Sequence, residues 1–403
     1  MKIRPCIKQA MEKLAIEKLR KNQLKPINSI LDGYDTMVVA PTSFGKSLIY
    51  IIPAIINRNQ LTIVIEPLIA LMHDQVQKLQ QLNIAAAYMD STQSPKDCKD
   101  VIKQLKHQKV QILYIAPERL EKDILSWIEE IYQIGMIVVD ECHCVVSWGD
   151  TFREAYRSIG KYIDCLKHHP VIVALSATAL PEDRARIAER LSMKKVKCFE
   201  MSLYRSNLRL MKKITQLRID KRKELKRCMK KYHKNTTIIF CNKKKVVEAV
   251  ADYLETLYPG EVAAYHSQAK GQECQILSGK KHIIVATSAL SMGVDIRNVD
   301  LVIHFDMPMS LADYYQMAGR AGREGQPGRS ILLYSSNDYR SNWSLLDNDI
   351  QDPDAKERAH QRLDAMKEFC EDDKQCMVVA LLNALGDTHK KKCRYCTNCQ
   401  RGR

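Results

Sequence analysis

The residues with the clearest chemical potential are the acidic pair Asp140 and Glu141, which follows the apolar run 136–139. A buried strand that ends in two carboxylates suits metal–phosphate chemistry, because ligands of open α/β sheets bind beyond the carboxyl ends of the strands. We expect Asp140 to hold Mg²⁺ and Glu141 to accept a proton from an attacking water. The alternative is a solvated acidic helix start, since acidic side chains favour helix N-termini.

A second candidate site is the segment 40–47 (APTSFGKS), which follows an apolar run and opens a helical pattern. It has the form of a phosphate-binding loop, in which backbone N–H groups and the helix N-terminus face the phosphates. Lys46 would reach the β- and γ-phosphates, and the Ser47 hydroxyl would ligate Mg²⁺. Ala40 stands where the usual pattern begins with glycine, so for this segment alone an ordinary strand–turn–helix joint stays an alternative. The residues expected to contact the nucleotide are Thr42, Ser43, Gly45, Lys46 and Ser47.

Aromatic side chains follow the acidic pair at intervals of four residues. They are Trp148, Phe152 and Tyr156, with Arg153 among them. On a helical turn this spacing places the three rings on one face. Such rings stack on single-stranded nucleic acid for about 1–3 kcal/mol per base, which makes these four residues candidates for nucleic-acid binding. Core packing stays an alternative, chiefly for Phe152 and Tyr156.

Four cysteines near the end of the sequence have the spacing of a metal site. Cys376 is followed after sixteen residues by Cys393, Cys396 and Cys399, so that two C-x-x-C steps share Cys396. Four thiolates in this pattern predict Zn²⁺ in a closed, structural, tetrahedral site. An iron–sulfur cluster takes compatible ligands and stays an alternative, as does Cys370 in place of Cys376.

Short apolar runs rich in Val and Ile predict the strands that position these side chains. Hydrophobicity within each run is continuous, which is typical of strands buried on both faces, and helix-compatible stretches separate the runs. The first series comprises Met37–Ala40, Thr62–Ile65, Ile112–Ile115, Met136–Val139 and Val171–Leu175. The second series comprises Thr237–Phe240, Val262–Tyr265, Ile283–Ala286, Leu301–Phe305 and Ile331–Tyr334. We therefore predict an α/β fold with two similar parallel-sheet domains in tandem.

The pattern of the sequence predicts three domains. A basic region at 203–231 joins the two series of strands. Residues 336–375 are typical of helices, with an acidic loop expected at 347–354. The predicted boundaries are 1–205 and 206–340 for the two α/β domains, and 341–403 for a small helical module that contains the cysteine cluster.

Length, composition and charge exclude several classes of protein. At 403 residues the chain is too long for a single ordinary core. A hydrophobic content of 45% with 27% charged residues is typical of soluble globular proteins. No apolar run is long enough for a membrane span, and the first residues lack a signal-peptide core. Fourteen scattered cysteines favour a reducing, cytoplasmic setting, and the net charge of +16 favours a polyanionic partner.

Longer motifs extend from about residue 14 to Cys399. The acidic pair, the SAT segment 176–178 and the segment 316–325 (QMAGRAGREG) resemble those of superfamily 2 helicases. Further segments are similar to the RecQ family of DNA helicases, namely Pro67–Val76, Tyr114–Leu120, His143–Gly149, Tyr204–Leu208 and Asp313–Gln316. The resemblance implies two RecA-like domains followed by a zinc-binding module. It also implies ATP-driven 3′-to-5′ translocation on single-stranded DNA and duplex unwinding in recombination or repair.

For the nucleotide site, the resemblance assigns roles to four further residues of the first domain. Arg20 and Gln23 would recognise adenine, and the phosphate and Mg²⁺ roles of the loop stay as derived above. Ser176 and Thr178 would couple the site to the second domain. The cofactors implied are ATP, Mg²⁺ and Zn²⁺.

The second domain would contribute to the same chemistry through the segment 316–325. Gln316 would sense nucleotide or bound DNA, and Arg320 and Arg323 would reach the γ-phosphate. We favour Arg323 as the arginine finger, whose positive charge stabilises the transition state. A flexible basic turn at 319–325 is the alternative interpretation.

The resemblance also predicts the DNA contacts. The segment 148–156 is similar to the aromatic loop with which family members sense single-stranded DNA. Lys243, Lys244 and His266 stand where the second domain of the family meets the DNA backbone. For the two lysines, a solvated basic turn stays an alternative.

Several positions depart from the family pattern. Ser43 and Phe44 replace glycines of the phosphate loop, and Ile16 replaces an aromatic residue that stacks on adenine. Asn22 stands in place of a glycine. Asp150 stands where a histidine usually follows the Trp-Gly pair, and an acid there would repel phosphate.

The sequence ends four residues after Cys399, so we expect a short form without the winged-helix and C-terminal helical DNA-binding domains. Unwinding by such a form is expected to be modest or to need an accessory DNA-binding or repair protein. The second hypothesis is a DNA-stimulated ATPase or translocase that remodels protein–DNA complexes without efficient unwinding. RNA is the alternative substrate, which the zinc module and the aromatic loop disfavour.

Overall fold

The structure is a computed structural model that describes residues 3–401 except 42–43, 121, 147–154, 216–217, 233, 267–275, 277–278, 289, 291–295 and 297. The chain forms two compact units, Met1–Met201 and Ser202–Arg403. A parallel sheet organises each unit. Within the described part of the chain, every helix is too short or too polar to serve as a transmembrane segment.

Unit 1 contains a sheet of seven described strands. The strands are β1 (Thr36–Val39), β2 (Leu61–Ile65), β3 (Ala86–Met89), β4 (Ile112–Ile115), β5 (Ile134–Val139), β6 (Val171–Ser176) and β7 (Lys197–Glu200). Their order across the sheet is β3-β4-β2-β5-β6-β1-β7. Because β2, β5, β6 and β1 are neighbours and pair in parallel, their carboxyl ends meet at one edge.

Helices cover both faces of this sheet, and this explains why its strands are apolar throughout. Alternate side chains of a strand point to opposite faces, and here each face has its own core. Met37 and Ile63 belong to one hydrophobic cluster, whereas Val38 and Val64 belong to the other. The helices of unit 1 are α1 (Pro5–Lys13), α2 (Leu24–Leu31), α3 (Ser47–Ile56), α4 (Ile69–Gln81), α5 (Pro95–Lys106), α6 (Lys122–Ile131), α7 (Ile159–Asp164) and α8 (Pro181–Arg190), with 3₁₀ turns at Pro117–Arg119 and Cys142–Val145.

Unit 2 contains a parallel sheet of six described strands, followed by helices that carry the cysteine cluster. The strands are β8 (Leu208–Ile214), β9 (Thr236–Phe240), β10 (Val262–Tyr265), β11 (Ile283–Ala286), β12 (Val299–His304) and β13 (Gly328–Tyr334). Their order is β10-β11-β9-β12-β13-β8. The helices are α9 (Arg218–Tyr232), α10 (Lys244–Glu255), α11 (Leu311–Ala318), α12 (Ser336–Asp349), α13 (Pro353–Glu371), α14 (Met377–Ala384) and α15 (Thr397–Arg401). The predicted architecture of two parallel-sheet domains with a terminal helical module is confirmed.

Three strands, β3, β7 and β8, are absent from the sequence-based prediction. The first is short and half alanine, so it lacks the β-branched residues that marked the other strands. The second lies at the edge of its sheet and is mostly exposed. The third alternates between buried and less buried positions and lies inside the basic region that was predicted to be only a connection. Continuous apolar runs therefore located all the central strands and the edge strand β10, and missed the other three edge strands.

The acidic loop predicted at 347–354 is wrong in extent. Helix α12 continues through Asp349, and only residues 350–352 separate it from α13. Asp352 caps the second helix by accepting a hydrogen bond from the Ala355 N–H at 2.8 Å, and Pro353 occupies its first turn. Acidic residues here mark a helix start, where they offset the unpaired N–H groups.

Candidate active site and metal centre

The phosphate-type loop and the acidic pair lie together at the carboxyl edge of the unit 1 sheet. The Lys46 Nζ is 3.7 Å from the Asp140 Oδ1 and 3.8 Å from the Glu141 Oε1. All three side chains are largely buried. The loop leaves β1 and leads into α3, which begins at Ser47, whereas the acids follow β5 two strands away in the sheet. The predicted proximity of lysine and carboxylates follows from this order of strands.

Charge interactions at this edge are strong because little solvent reaches it. Burial alone would lower the pKa of Lys46, but Glu141 and then Asp140 raise it above its ordinary value, so the side chain stays charged. Burial raises the pKa of Asp140, an effect that Lys46 opposes. The arrangement therefore holds a fixed positive charge next to acids, which suits the binding of a polyphosphate with a divalent cation.

Glu66 is a third carboxyl group near this cluster, and it was not among the sequence candidates. It follows β2, the neighbour of β5 in the sheet, and is 2% exposed. Its Oε1 accepts a hydrogen bond from the Leu68 N–H at 3.1 Å. Burial, followed by the charges of Asp140 and Glu141, raises its pKa well above the ordinary value. An acid directly after a second predicted strand was the signal that could have located it.

Gln23, predicted to recognise adenine, is fully buried against the phosphate-type loop. Its Nε2 donates to the carbonyl oxygens of Phe44 and Gly45 at 3.0 and 3.1 Å, and its Oε1 accepts from the Arg20 N–H at 2.7 Å. Gly45 has φ +79°, and a Cβ there would approach the Gln23 Nε2 to 3.0 Å. The side-chain amide of Gln23 thus connects the segment predicted to recognise adenine to the phosphate-type loop, while Arg20 itself is exposed.

Two other residues of the predicted loop, Thr42 and Ser43, lie outside the described residues. Trp148, Phe152 and Arg153 of the predicted aromatic loop do so as well. Asp150, the predicted departure from the family pattern, falls in the same range.

The structure corrects the assignment of Tyr156 to DNA binding. Its side chain is 0% exposed and belongs to the hydrophobic core beneath the acidic pair. Its hydroxyl donates to the carbonyl oxygen of Asp140 at 3.0 Å. Because both faces of the ring are covered, the core-packing alternative holds for this residue, which supports the acidic pair from below.

Ser176 and Thr178, predicted to couple the site to the second domain, are linked to the acidic motif through His143. The Ser176 Oγ accepts from the Thr178 N–H at 3.0 Å and lies 3.0 Å from the His143 Nδ1, which is also 3.2 Å from the Glu141 Oε2. Burial alone would lower the pKa of His143, but the contacts with Cys144 and Glu141 raise it to about 10. His143 lies within a motif of the family resemblance, but no role was predicted for it, so sequence reasoning missed this link.

In unit 2, the predicted Gln316, Arg320 and Arg323 lie on one short segment. Gln316 is near the end of α11, and the two arginines lie in the turn that follows the helix and leads to β13. Gln316 and Arg320 are buried, and Arg323 is half-buried. We call residues 319–327 the finger loop. Residues 319–322 of this loop are buried, whereas Glu324, Gly325 and Pro327 are exposed.

The predicted DNA contacts of unit 2 differ in accessibility. Lys243 and Lys244 are exposed at the start of α10, and two residues separate them from the end of β9. His266 is 8% exposed, and its Nε2 lies 3.5 Å from the Glu248 Oε1. The two lysines are thus available to an anionic backbone, whereas the imidazole is turned towards a carboxylate.

The four predicted cysteines converge at the end of unit 2. The Sγ atoms of Cys376, Cys393, Cys396 and Cys399 all lie within 4.8 Å of one another. The Cys376 Sγ is 3.6 Å from that of Cys393 and 3.9 Å from that of Cys396. Thiolates bound about 2.3 Å from a tetrahedral zinc have S–S separations of roughly 3.8 Å. The donor set therefore fits zinc, and Cys370 is not part of it.

Local backbone structure prepares this metal centre. The Cys393 N–H donates to the Cys376 Sγ, and the Cys396 N–H donates to the Cys393 Sγ, both at 3.3 Å. The turn between Cys393 and Cys396 contains Arg394 at φ +66°. N–H groups directed at sulfur favour thiolates, the form that binds metal. When bound, zinc would supply a cross-link that ties this end of the chain together.

We expect the wild-type chain to bind about one zinc ion, and we expect Cys393→Ala to lose it and to melt at a lower temperature. Metal analysis of the purified protein and a thermal melting curve measure both effects. Cys370→Ala is the matched control, because this cysteine is also buried but lies outside the four-sulfur cluster. Loss of zinc from Cys370→Ala together with retention in Cys376→Ala would reverse the ligand assignment.

Comparison with known proteins places these features in one class. Residues 20–187 match the DEAD/DEAH box helicase family, residues 220–325 the helicase conserved C-terminal domain, and residues 336–400 the RecQ zinc-binding domain. A solved structure of Mss116p bound to single-stranded RNA and AMP-PNP superimposes with a TM-score of 0.70 at 17% identity, covering 97% of this chain and 90% of that one. This likeness shows the fold. The fold and the motif order define a superfamily 2 helicase with two RecA-like units.

Relatives at higher identity define the family. The ATP-dependent DNA helicase RecQ of Pasteurella multocida is 33% identical over 95% of this chain and 60% of its own length. The protein of the same name from Synechocystis sp. is 33% identical over 82% of this chain and 71% of its own length. The chain belongs to the RecQ family, as the motifs predicted, and it spans about three-fifths of the Pasteurella relative.

Proposed function

We propose that this chain is an ATP-dependent DNA helicase that translocates 3′ to 5′ on single-stranded DNA and separates duplexes in recombination or repair. The observation that carries the proposal is the buried cluster of Lys46 with Asp140 and Glu141, at 3.7 and 3.8 Å, next to a phosphate-type loop. DNA is favoured because the Pasteurella and Synechocystis relatives are named as DNA helicases. The polarity and the pathway follow from the family resemblance.

In this proposal each residue of the cluster has one task. Lys46 binds the β- and γ-phosphates, and its raised pKa keeps it charged at neutral pH. Glu141 accepts the proton of the attacking water. The Ser47 hydroxyl and the Asp140 carboxylate offer the oxygen ligands that Mg²⁺ prefers, and an ion held there would neutralise phosphate charge. Arg20 and Gln23 recognise the adenine, with Gln23 also fixing the loop carbonyls.

In this proposal the finger loop of unit 2 supplies further positive charge to the γ-phosphate. Arg320 and Arg323 act on the γ-phosphate, with Arg323 as the arginine finger, and Gln316 senses the nucleotide or the DNA. A second RecA-like unit without a phosphate loop of its own is what this division of tasks requires. Ser176 and Thr178 transmit the state of the acidic motif, to which His143 connects them.

DNA binding is assigned to both units. In unit 1 we retain Trp148, Phe152 and Arg153 as candidates for base stacking and phosphate contact, and we remove Tyr156 because it is buried. In unit 2, Lys243 and Lys244 present two exposed charges at a helix N-terminus, a position that favours phosphate. The net charge of +16 supports a polyanionic partner.

Replacing Lys243 and Lys244 together with alanine is expected to weaken binding of single-stranded DNA and to make it less dependent on salt. Each phosphate contact on a single strand contributes about 0.7 to the slope of log K against log[salt], so the slope should fall by about 1.4. Fluorescence anisotropy over a salt series measures it. A double alanine variant of Lys226 and Lys230, both exposed on α9, is the control. An unchanged slope in the first variant would show that Lys243 and Lys244 form a solvated basic turn and do not contact DNA.

The second candidate function is a DNA-stimulated ATPase or translocase that remodels protein–DNA complexes without efficient unwinding. A forked duplex with a 3′ tail, compared with one that carries a 5′ tail, separates the two. Strand separation on the 3′-tailed substrate with ATP supports the helicase. ATP hydrolysis without strand separation on either substrate favours the translocase, and separation only from the 5′ tail contradicts the polarity. The cytoplasmic setting and an accessory DNA-binding or repair protein belong to the same proposal.

A further inference from the structure

The segment that opens unit 2 holds the finger loop through one arginine. Arg205 donates from Nη1 to the carbonyl oxygen of Gly319 at 2.7 Å, and from Nη2 to that of Ala321 at 2.9 Å and to that of Gly322. These carbonyls lie on both sides of Arg320. One guanidinium thus contacts the backbone before and after a predicted γ-phosphate ligand.

Asn207 secures the other half of the loop. Its Nδ2 donates to the carbonyl oxygens of Gly322 and Gln326 at 2.8 and 2.7 Å. The backbone carbonyl oxygen of Asn207 accepts from the Gly328 N–H at 2.8 Å. Gly322 has φ +63°, and a Cβ there would lie 2.5 Å from the Gln326 carbonyl oxygen. The backbone of the loop therefore folds tightly around the Asn207 amide, with Arg323 next to the fixed glycine.

The segment is itself anchored before it reaches the loop. The Leu203 N–H donates to the Asp387 Oδ2 at 2.7 Å, and its carbonyl oxygen accepts from the Tyr315 hydroxyl at 2.9 Å. Tyr204 stacks on His389 with ring centroids 4.2 Å apart. Arg205 and Asn207 therefore project from a fixed backbone, and so they can impose a position on the loop.

The contacts are of a kind that other side chains cannot easily replace. Helix α11 ends at Ala318, so the carbonyls that follow lack helical partners. A guanidinium presents several donors in a planar fork, whereas an ammonium is a compact point charge. A cation at the C-terminal end of a helix is also favoured by the helix dipole.

We propose that Arg205 and Asn207 are positioning residues that hold Arg320 and Arg323 where they act on the γ-phosphate. They touch neither nucleotide nor DNA in this proposal; they act through the backbone of the finger loop. The inference rests on the proposed function, because it concerns the efficiency of the same ATP hydrolysis. It adds a role for the Tyr204–Leu208 motif, which the nucleotide and DNA assignments leave unused.

The first test is Arg205→Ala in the full chain, assayed for DNA-stimulated ATP hydrolysis. We expect kcat to fall about ten- to hundredfold, the scale of a loss caused by misplaced catalytic groups, with the KM for ATP and the zinc content unchanged. Arg205→Lys should recover little of the rate, because lysine lacks the fork. Arg209→Ala is the matched control: it lies four residues further along the chain, on β8, and its Nη2 donates to the Gln400 Oε1 at 2.6 Å, away from the finger loop.

A double-mutant cycle separates positioning from general stability. In an Arg323→Ala background, Arg205→Ala should cost a smaller factor than in the wild-type chain, because it acts through the arginine already removed. Equal factors in both backgrounds, or an unchanged kcat for Arg205→Ala, would overturn the inference. If Arg205→Ala does not fold, as judged by its melting curve, Arg205→Lys and Asn207→Asp carry the same test. A wild-type chain without DNA-stimulated hydrolysis would instead overturn the proposed function.

Discussion

Lys46→Ala is expected to abolish DNA-stimulated ATP hydrolysis, lowering the rate by at least about 100-fold, the scale for removing one preorganised charge from a buried site. Lys46 is 9% exposed and lies within 4 Å of two carboxylates, so its charge acts where solvent screens it little. The variant also removes the cation that lies 3.7 Å from Asp140 and 3.8 Å from Glu141. Affinity for ATP should fall together with turnover, because the ammonium binds phosphate in both the ground state and the transition state.

Steady-state phosphate release in the presence of single-stranded DNA measures the effect. Lys106→Ala removes an exposed lysine from the last turn of α5 in the same unit and should keep full activity. If a clean Lys46→Ala preparation turned over ATP at close to the rate of this control, the assignment of the nucleotide site to unit 1 would be wrong. Equilibrium binding of a fluorescent ATP analogue shows whether the loss arises in binding or in turnover.

Arg323→Ala should lower kcat by about 10³-fold, the smaller end of what arginine fingers contribute, while the KM for ATP changes little. The expected split arises because the finger stabilises charge that develops only as the γ-phosphate leaves. Arg320→Ala should also reduce turnover. A larger loss of kcat for Arg320→Ala than for Arg323→Ala would show that the buried Arg320 is the arginine finger.

Arg340→Ala provides the comparison, since this arginine is exposed on α12 and belongs to none of the proposed sites. It should retain the wild-type kcat. An Arg323→Ala variant with unchanged kcat and a raised KM would show that Arg323 binds the ground state and is not the finger. Loss of folding is detected separately, by comparing the melting curves of both variants.

The central strands and the catalytic motifs are visible in the sequence because one physical requirement produces both. A strand buried on both faces needs a continuous apolar run, and it delivers whatever follows it to the carboxyl edge of the sheet. This is why the sequence alone predicted that Lys46 and Asp140 lie together, whereas the role of Ser176 was predicted only from the family resemblance. Peripheral strands such as β7 lack that requirement, since most of its residues face solvent.

Side-chain contacts made by the folded chain were harder to predict. Spacing placed Tyr156 on one helical face with Trp148, but spacing cannot tell a face that stacks on bases from one that packs in a core. The hydrogen bonds from Gln23 to the loop carbonyls span sequence separations of 21 and 22 residues, and no local pattern encodes them. Asn22, where the family has glycine, adopts φ +73°, which shows why a small or amide residue is needed there.

The metal centre was predictable for a different reason. Four thiolates with short C-x-x-C steps have few other uses in a chain whose remaining cysteines are scattered. Spacing also favoured Cys376 over Cys370, and in the folded chain the sulfur of Cys376 lies in the cluster. By contrast, the hold of Arg205 on the finger loop links positions 114 to 117 residues apart, and only the folded chain reveals it.

The most direct test compares the rate of ATP hydrolysis with no nucleic acid, with single-stranded DNA, and with RNA of the same sequence and length. A DNA helicase of the proposed kind should hydrolyse ATP slowly alone, many times faster with DNA, and near the basal rate with RNA. Lys46→Ala should remove the stimulated rate. A rate that neither polymer raises, or one that RNA raises as much as DNA, would contradict the proposed function as a DNA helicase.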